Sequence, residues 1–484
     1  MPYGIHTVDS CDVHYRTFEN YRINKINLHT VCAIILEKHF MTIDQAKRLV
    51  EEKGIEFFIC SFVEMSGAPK AKVIPATHLE DMAKEGAGFG GFAAGEIGQY
   101  PHDPEMASIP DFNSLTIVPW RKNLVWVAGD MYVEGQAWHY CPRTILRQQL
   151  EKTREMGYIF NVGIEAEFML LKQDEAGQYA PWDKLDTLDK PCYDLRALHR
   201  NLDMMTTLIK YMQELEWEPY ANDHEDGTCQ FETNWTYADA LTTADRHTFF
   251  KWMVKTIAEE RGLLATFMPK PFTNLTGNGA HFHMSLWDTD NQTNLFLDEN
   301  DKNGLSEIAY YFTGGILKHA KAITAVTNPL VNSYKRLVRR PPRSGSSWAP
   351  VYVTYGANNR TQMIRIPAPG RIENRLSDGA ANPYLAATVM LAAGLDGIEN
   401  RIDPGVQNED NLYEVPEDEL GNRGIGSLPA TLSHAVDALE EDEIIKNALG
   451  NEYADYYIQV KRNEWRDYHL SVSQWETDNY LEVY

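Results

Sequence analysis

Hydrophobic and polar positions change period along the chain, and these changes predict its helices and strands. Thr42 and Gln45 have the spacing of a capping box, which predicts a helix running through AKRLVEEK and ending at Gly54. The apolar run IEFFICSFV, the turn SGAP and the segment AKVIP then predict two strands. LTIVPW and LVWVAGDMYV predict two more, so residues 41–135 are expected to form a small α+β domain.

The remainder of the chain alternates between helical and strand patterns. Pro142 is expected to open a helix that ends at Gly157. The strand patterns that follow are VGIEAEFMLL, CQFETNW and GAHFHMSLW, and the helical patterns are NLDMMTTLIKYMQEL and HTFFKWMVKTIAEERG. All the polar clusters described below fall within residues 136–484, so we expect the chemistry to belong to this larger domain.

Two segments do not follow the pattern. GAGFGGFAAGEIG, at residues 86–98, is dense in glycine and predicts a loop in which backbones approach closely. Residues 1–40 show no clear period, and the first predicted helix begins just after Met41. We therefore expect residues 1–40 to be an N-terminal extension of unclear role, with Met41 a candidate for the original initiator.

Charge and cysteine content narrow the class of protein. The 484 residues include 45 Lys and Arg against 69 Asp and Glu, a net charge of −24, which argues against a nucleic-acid or anionic-membrane surface. There is no apolar run long enough for a transmembrane helix and no secretory signal pattern. The six cysteines are scattered without a CxxC motif, which is typical of reduced thiols and predicts a cytoplasmic protein.

Paired carboxylates are the first sign of chemistry. Glu165 and Glu167 are two residues apart on a predicted apolar strand and therefore point to one face, where burying both would require a cation. Glu225 and Glu232 flank a glycine turn, and a hairpin could bring them into one pocket. The alternative is that these are solvated surface acids.

Imidazoles and guanidiniums accompany the carboxylates. His281, His283 and Ser285 share one face of a predicted strand, and imidazole together with carboxylate suits Mg²⁺ or Mn²⁺. The basic set comprises Arg336, Arg360, Arg365, Arg371 and Arg375, with Glu373 between the last two. Arginine clusters bind phosphate and carboxylate in two-pronged contacts, although here they could also pair with the excess acids. Metal ligands with arginines predict phosphoryl transfer, and the chain has no P-loop or protein-kinase signature.

In their order along the chain, these motifs resemble the glutamine synthetase family. The matching strings are VGIEAEFML, the Glu225–Glu232 hairpin, ATFMPKP, GNGAHFHMS, NSYKRLV, ANNR, RIP, RIENR, ANPY and NLY, and they cover about residues 41–480. The resemblance implies an N-terminal β-grasp domain at 41–135 and a catalytic domain at 136–484 with a curved antiparallel sheet and flanking helices. It also implies a homo-oligomer of two rings, a dodecamer, with active sites between subunits.

The resemblance further implies a reaction and a role for each residue. ATP would phosphorylate the side-chain carboxylate of glutamate, and an amine would then displace phosphate, with two or more Mg²⁺ or Mn²⁺ ions in each site. The implied metal ligands are Glu167, Glu225 and Glu232 near the glutamate, and Glu165, His281 and Glu373 near the nucleotide. Gly277, His283, Arg336, Arg360 and Arg375 would bind substrate, and Ser285, Arg360, Arg365 and Arg371 would bind ATP. Arg336, Arg375 and Trp348 would take part in catalysis.

Two positions depart from the family pattern for ammonia. Family members that use ammonia carry an Asp in the glycine-rich loop, where this chain has GFGGFAAGE. The matching place is Gly91, or a neighbour if the loop is shifted, and Glu96 lies a little downstream. They also carry a Glu just before Ala-Pro-Val, where this chain has Trp348. Losing both acids while gaining Phe92 and Trp348 favours an apolar or cation–π wall.

Such a wall suits an alkylated amine. The branch with these substitutions includes type III glutamine synthetases and γ-glutamylmethylamide synthetases. We therefore expect an ATP-dependent ligase that makes a γ-glutamyl amide, with methylamine favoured. The alternatives are ammonia, with Trp348 merely packing its loop; a polyamine; and a non-catalytic relative, against which the complete ligand set argues.

Overall fold

Two β-sheets organise the part of the chain that the computed structural model describes, which is residues 41–339, 344–345 and 347–484. The expected N-terminal extension, residues 1–40, lies outside the described residues. Met41, the candidate initiator, is the first residue described. The strands are β1 (Phe57–Val63), β2 (Pro69–Pro75), β3 (Ala87–Phe89), β4 (Met106–Pro110), β5 (Thr116–Ile117), β6 (Leu124–Val133), β7 (Gln136–Ala137), β8 (Ile159–Gln173), β9 (Tyr179–Pro181), β10 (Pro219–His224), β11 (Gln230–Trp235), β12 (Ala238–Asp239), β13 (Leu264–Thr266), β14 (Ala280–Trp287), β15 (Tyr355–Gly356), β16 (Ile364–Ala368) and β17 (Arg371–Asn374).

Helices cover the sheets, and the regular elements that follow β17 are all helices. They are α1 (Ile43–Lys53), α2 (Leu79–Glu85), α3 (Pro142–Glu155), α4 (Leu195–Arg200), α5 (Leu202–Glu214), α6 (Ala240–Glu260), α7 (Glu307–Lys318), α8 (Ala320–Thr327), α9 (Pro383–Glu399), α10 (Glu417–Asn422), α11 (Leu432–Glu441), α12 (Glu443–Leu449), α13 (Asn451–Leu470) and α14 (Gln474–Tyr480). Within the described ranges, no helix is both long and apolar enough to cross a membrane.

The first sheet is built from the N-terminal strands. Its order is β2-β1-β6-β4-β3, with β5 and β7 also paired to β6, and β1 runs parallel to β6. Phe58, Cys60 and Phe62 alternate along β1 and are buried in a core shared with α1 and α2. The predicted helix and strands of this region are confirmed. The glycine-rich segment differs from the predicted loop, because Ala87 and Phe89 are buried in the same core and begin the segment as a strand.

The second sheet holds the strands that the polar motifs occupy. Its order is β10-β11-β8-β14-β17-β16-β15, and β9, β12 and β13 also pair with β8. The long apolar strand β8 packs against α6 and α3, which explains its almost continuous burial. Helix α6 begins at Ala240, earlier than its periodicity predicts, because the Asp239 carboxylate accepts a hydrogen bond from the Thr242 backbone N–H, 3.1 Å away.

A buried arginine joins the first sheet to the helices of the second. The Arg143 guanidinium, on α3, donates to Asp245 on α6 at 2.8 Å and to Asp130 on β6 at 3.0 Å. It also donates to Asp111 at 2.8 Å, and Arg147 shares two of these carboxylates. Ile43–Tyr484 form one compact unit, and this network is one of its internal contacts. The boundary at residues 135 and 136 stays a prediction.

Candidate active site

Strand register places the polar motifs of the second sheet in one row. Residues facing each other across neighbouring strands are Glu232 and Glu167, Glu165 and His281, His283 and Glu373, and Glu373 and Arg365. Directly opposite residues in an antiparallel pair have Cβ atoms about 5 Å apart on the same face. A run of five strands, β11-β8-β14-β17-β16, therefore presents carboxylates, imidazoles and a guanidinium on one side.

The first metal-type group is centred on His281. Its Nδ1 atom lies 3.4 Å from Glu165 Oε2 and 3.6 Å from Glu373 Oε1. Its Nε2 atom lies 3.9 Å from Glu167 Oε1, so both carboxylates of β8 face the same imidazole, as the sequence predicts. Glu165, His281 and Glu373 place one potential ligand atom each within 4.8 Å of one another. These are the three ligands expected near the nucleotide.

The second group lies across the hairpin of β10 and β11. Glu167 and Glu232 group with His281, whereas Glu225 and Glu232 group with Asp223. The three ligands expected near the glutamate are thus brought together in two overlapping groups. Sequence reasoning missed Asp223, although it is two residues from Glu225 and faces Glu232 in the strand register, so the alternation rule could have found it.

The electrostatics of the second group call for a cation. Burial, with Glu167 and Asp223 nearby, raises the pKa of Glu225 to about 8. Burial, with Glu165 and Glu225 nearby, raises the pKa of Glu232 well above its ordinary value. Burial and the charge of Arg375 lower the pKa of His281, which keeps the imidazole neutral, and its buried Nε2 atom has no hydrogen-bond partner. Crowded carboxylates and a neutral imidazole fit hard divalent cations.

Arginines keep Glu373 ionised, in contrast to Glu225 and Glu232. Its carboxylate is fully buried, and Arg365 Nη1 lies 2.6 Å from Oε2 while Arg375 Nη1 contacts Oε1. Burial acts to raise the pKa of Glu373, but Arg375 and His281 outweigh it and lower the pKa to about 2. Burial also acts to raise the pKa of Glu165, but hydrogen bonds from His281 and His283 outweigh it and hold that pKa below its ordinary value. These two acids stay ionised at neutral pH.

A second buried arginine lies beside the predicted glutamate site. Arg336 donates to the Leu376 carbonyl at 3.0 Å and packs against Gly277, where an added Cβ atom would lie 2.2 Å from the Pro269 carbonyl oxygen. Only glycine therefore fits there without a backbone shift. Gln230, which sequence reasoning missed, donates from Nε2 to the Gly277 carbonyl and to Glu167 Oε2, each at 3.0 Å. It is on the same strand face as Glu232 and could have been found by that spacing.

The remaining predicted site residues lie around the row rather than in it. Ser285 continues the face of β14 and accepts a hydrogen bond from Trp287 Nε1 at 2.9 Å. Arg371 begins β17 and Arg360 precedes β16, and both side chains are exposed. Strand β17 ends at Asn374, so Arg375 lies one residue beyond the strand on which the sequence placed it. Its guanidinium nevertheless reaches Glu373.

The two departures from the ammonia pattern have distinct surroundings. Arg375 donates from Nη2 to the Trp348 carbonyl oxygen at 3.3 Å, which places the Trp348 backbone at the edge of the row. An added Cβ atom at Gly91 would lie 1.7 Å from Gln99 Oε1, so an acid at Gly91 would displace Gln99. Phe92 is 53% exposed, and Glu96 accepts a hydrogen bond from the Tyr456 hydroxyl on α13.

Comparison with known proteins decides the family. The family model described as glutamine synthetase, catalytic domain, matches residues 139–480. The chain belongs to the glutamine synthetase family. The family prediction from the motifs is thereby confirmed.

Two curated relatives of this family are similar to nearly the same degree. The chain is 43% identical over 443 residues to a glutamine synthetase of Rhizobium leguminosarum bv. phaseoli, covering 92% of this chain and 100% of the relative. It is 42% identical over 447 residues to a glutamate–methylamine ligase of Methyloversatilis universalis, again covering 92% and 100%. Identity alone therefore does not separate the two activities.

Solved structures of GmaS are similar to the whole described fold. A complex of GmaS with ADP has a TM-score of 0.85 and 47% sequence identity, covering 90% of this chain and 99% of GmaS. A ligand-free GmaS has a TM-score of 0.83 and 46% identity, with the same coverage. The expected α+β fold of glutamine synthetase type is confirmed. Enzymes of this family are ligases that use ATP and divalent metals, and the carboxylate and imidazole groups described above could hold such ions.

Proposed function

We propose that this member of the glutamine synthetase family joins glutamate to a small alkylamine, with methylamine favoured. In the first step a γ-carboxylate oxygen of glutamate attacks the γ-phosphorus of ATP and releases ADP. In the second step the amine nitrogen attacks the carbonyl carbon of γ-glutamyl phosphate. The bond from that carbon to the phosphate oxygen breaks, phosphate leaves, and the amine loses a proton.

The observation that carries the proposal is the row of acids, imidazoles and guanidiniums across five neighbouring strands. Glu165, His281 and Glu373 would hold one cation, and Glu167, Glu225 and Glu232 another. Bound Mg²⁺ or Mn²⁺ would neutralise charge on the phosphate and carboxylate oxygens. The closely spaced buried acids are costly without such a partner, which argues against the non-catalytic alternative.

The other groups of the row would orient the two substrates. Arg336 and the Gly277 backbone would hold glutamate. Arg375 would stabilise charge on the transferring phosphoryl group, since its guanidinium pairs with Glu373 in the row. Contacts to ATP or to the substrates are proposed for Arg360, Arg365, Arg371, His283 and Ser285.

The choice of an alkylamine rests on the amine end of the site. The carboxylates at the two positions where ammonia-using members bind ammonium are replaced by Gly91 and Trp348. A side chain at Gly91 would require Gln99 and Ile97 to move, and Trp348 would supply an aromatic face. An aromatic face attracts an alkylammonium through a cation–π interaction. It also shields the methyl group of the amine from water, which is favourable. Similarity to a glutamate–methylamine ligase and to GmaS supports the same choice.

Ammonia remains the second candidate, because a glutamine synthetase is as similar to this chain as the methylamine ligase is. Phosphate release with ATP, glutamate and Mg²⁺ or Mn²⁺ separates them when ammonium, methylamine and ethylamine are compared at equal free-base concentration. We expect the highest kcat/KM with methylamine. A higher value with ammonium would favour a glutamine synthetase, and release with none of the amines would contradict ligase activity.

The assembly, domain division and location are part of the same proposal. We infer a dodecamer of two rings with sites between subunits, formed by a β-grasp domain at 41–135 and a catalytic domain at 136–484. A cytoplasmic location agrees with the four cysteines of the described residues, all of which are free thiols. Native mass spectrometry of the purified chain tests the ring assembly, and a mass other than twelve subunits would contradict it.

A further inference from the structure

The backbone at Trp348 adopts a conformation that other contacts must hold. Its φ angle is +55°, in the left-handed region that residues other than glycine rarely occupy. Such a conformation persists where surrounding contacts over-determine it, and it is common at functional sites. The contacts of the neighbouring residues, Ser347 and Ala349, therefore help to hold the Trp348 backbone in this conformation.

Tyr413 contacts both neighbours through one hydroxyl group. Ser347 Oγ donates to the Tyr413 hydroxyl oxygen at 3.2 Å, and that hydroxyl donates to the Ala349 carbonyl oxygen at 3.3 Å. The two bonds lie on either side of Trp348 in the chain. A single phenol thus bridges the segment that carries the tryptophan.

The backbone around Tyr413 accepts hydrogen bonds from a residue near Arg336. Arg339 donates from Nη2 to the Tyr413 carbonyl at 3.2 Å, and it also donates to the Val415 carbonyl. Arg339 is three residues from Arg336, which is buried beside Gly277. These bonds constrain the backbone on which the Tyr413 hydroxyl faces the segment Ser347–Ala349.

The held segment contacts the reacting groups on its other side. The Trp348 carbonyl accepts from Arg375 Nη2 at 3.3 Å, and Arg375 pairs with the buried Glu373. Earlier in the same stretch, the Ser344 hydroxyl donates to Asp226, the residue after the proposed ligand Glu225. Displacement of residues 347–349 would therefore move Trp348 relative to the place where the amine attacks.

We propose that Tyr413 is a positioning residue of the amine end of the site, acting through the segment Ser347–Ala349 to hold Trp348. This inference rests on the proposed function, since Trp348 is there assigned to amine choice. It adds a residue that is 65 positions further along the chain and whose hydroxyl contacts Ser347 and Ala349. The hydroxyl group is the part of Tyr413 that carries the role.

The test is Tyr413→Phe, which removes only the hydroxyl oxygen. We expect kcat/KM for methylamine to fall about tenfold, the scale set by losing one or two neutral hydrogen bonds. The loss should appear as a raised KM for the amine, and the KM values for ATP and glutamate should stay within about twofold. The preference for methylamine over ammonium should narrow, and the thermal midpoint should stay near that of the unaltered enzyme.

A matched control and a second variant keep the test decisive. Tyr311→Phe removes a hydroxyl that donates to Glu307 at 2.8 Å on the exposed face of α7, and it should change none of these constants. Ser347→Ala removes the donor on the facing segment and should reproduce the effect of Tyr413→Phe. In the double variant the two losses should be less than additive, because both remove the same bond.

The outcomes separate this inference from the proposed function. If the unaltered enzyme makes no γ-glutamyl amide, the proposed function is wrong. If it is active and Tyr413→Phe behaves like Tyr311→Phe, the function stands and the positioning role is wrong. Equal rises in the KM values of all three substrates would also contradict the role, since they indicate a general structural effect.

Discussion

At the scale of single residues, Trp348 and Gly91 distinguish this chain from the ammonia-using pattern more sharply than any metal ligand does. Their identities could be read from the sequence, because the flanking Ala-Pro-Val and glycine-rich strings align them. Their surroundings could not be read, since the contact of Gln99 at Gly91 and that of Arg375 with Trp348 depend on how the chain folds. Tyr413 was missed for the same reason, whereas Gln230 could have been found from its spacing to Glu232.

Restoring a carboxylate at Trp348 should shift amine choice. Trp348→Glu is expected to lower the preference for methylamine over ammonium by about tenfold, because an acid binds the smaller cation while the aromatic face is lost. The ratio of the two kcat/KM values measures the shift. Trp348→Phe, which keeps an aromatic ring, is the control and should keep most of the preference. An unchanged ratio in Trp348→Glu would remove Trp348 from amine choice.

At the scale of elements, the alternation of side chains along each strand was predictable and the order of the strands was not. The spacing of Glu165 and Glu167 predicted a shared face, and both do face His281. The sequence contained no signal that β14 lies between β8 and β17, because strand order depends on packing by helices such as α6. The alternation rule could also have added Asp223, two residues from Glu225, and the pairing of β10 with β11 places it opposite Glu232.

The hairpin of β10 and β11 makes metal binding depend on pH. The pKa of Glu225 is raised to about 8 without a cation, so at pH 6 to 7 this group binds a proton that a metal must displace. Magnesium affinity should therefore rise with pH from about 6 to 8 and then level off, since protons compete less as pH increases. Glu373, with its pKa lowered to about 2, is already ionised and contributes nothing in this range.

The increase in thermal midpoint with saturating and sub-saturating Mg²⁺, measured across this pH range, reports that affinity. Glu225→Gln should flatten the dependence, because the displaced proton is absent. An affinity that is constant between pH 6 and 8 in the unaltered protein would contradict the account of the second group.

At the scale of the whole molecule, the net charge of −24 argued against a nucleic-acid surface but did not locate the basic site within the acidic chain. The division at residues 135 and 136 came from the family resemblance. The Arg143 network shows why composition could not reveal it: Asp111 and Asp130 from the first sheet share one guanidinium with Asp245 on α6. Burial of that guanidinium makes the contact an internal one.

Arg143→Met should destabilise the chain by about 3–5 kcal/mol, because three carboxylates would lose their shared buried cation. Arg147→Met is the matched control, since Arg147 contacts two of the same carboxylates but is 33% exposed, and its loss should be about 1 kcal/mol or less. Denaturant unfolding of both variants measures the difference. Equal losses would mean that the burial of Arg143 does not matter.

The central claim, a ligase that prefers methylamine, is tested most directly by internal competition. The unaltered enzyme is supplied with ATP, glutamate, Mg²⁺ and equal free-base concentrations of ammonia and methylamine, and both products are counted by mass spectrometry at low conversion. The product ratio equals the ratio of the two kcat/KM values. We predict an excess of γ-glutamylmethylamide over glutamine, and an excess of glutamine would contradict the claim.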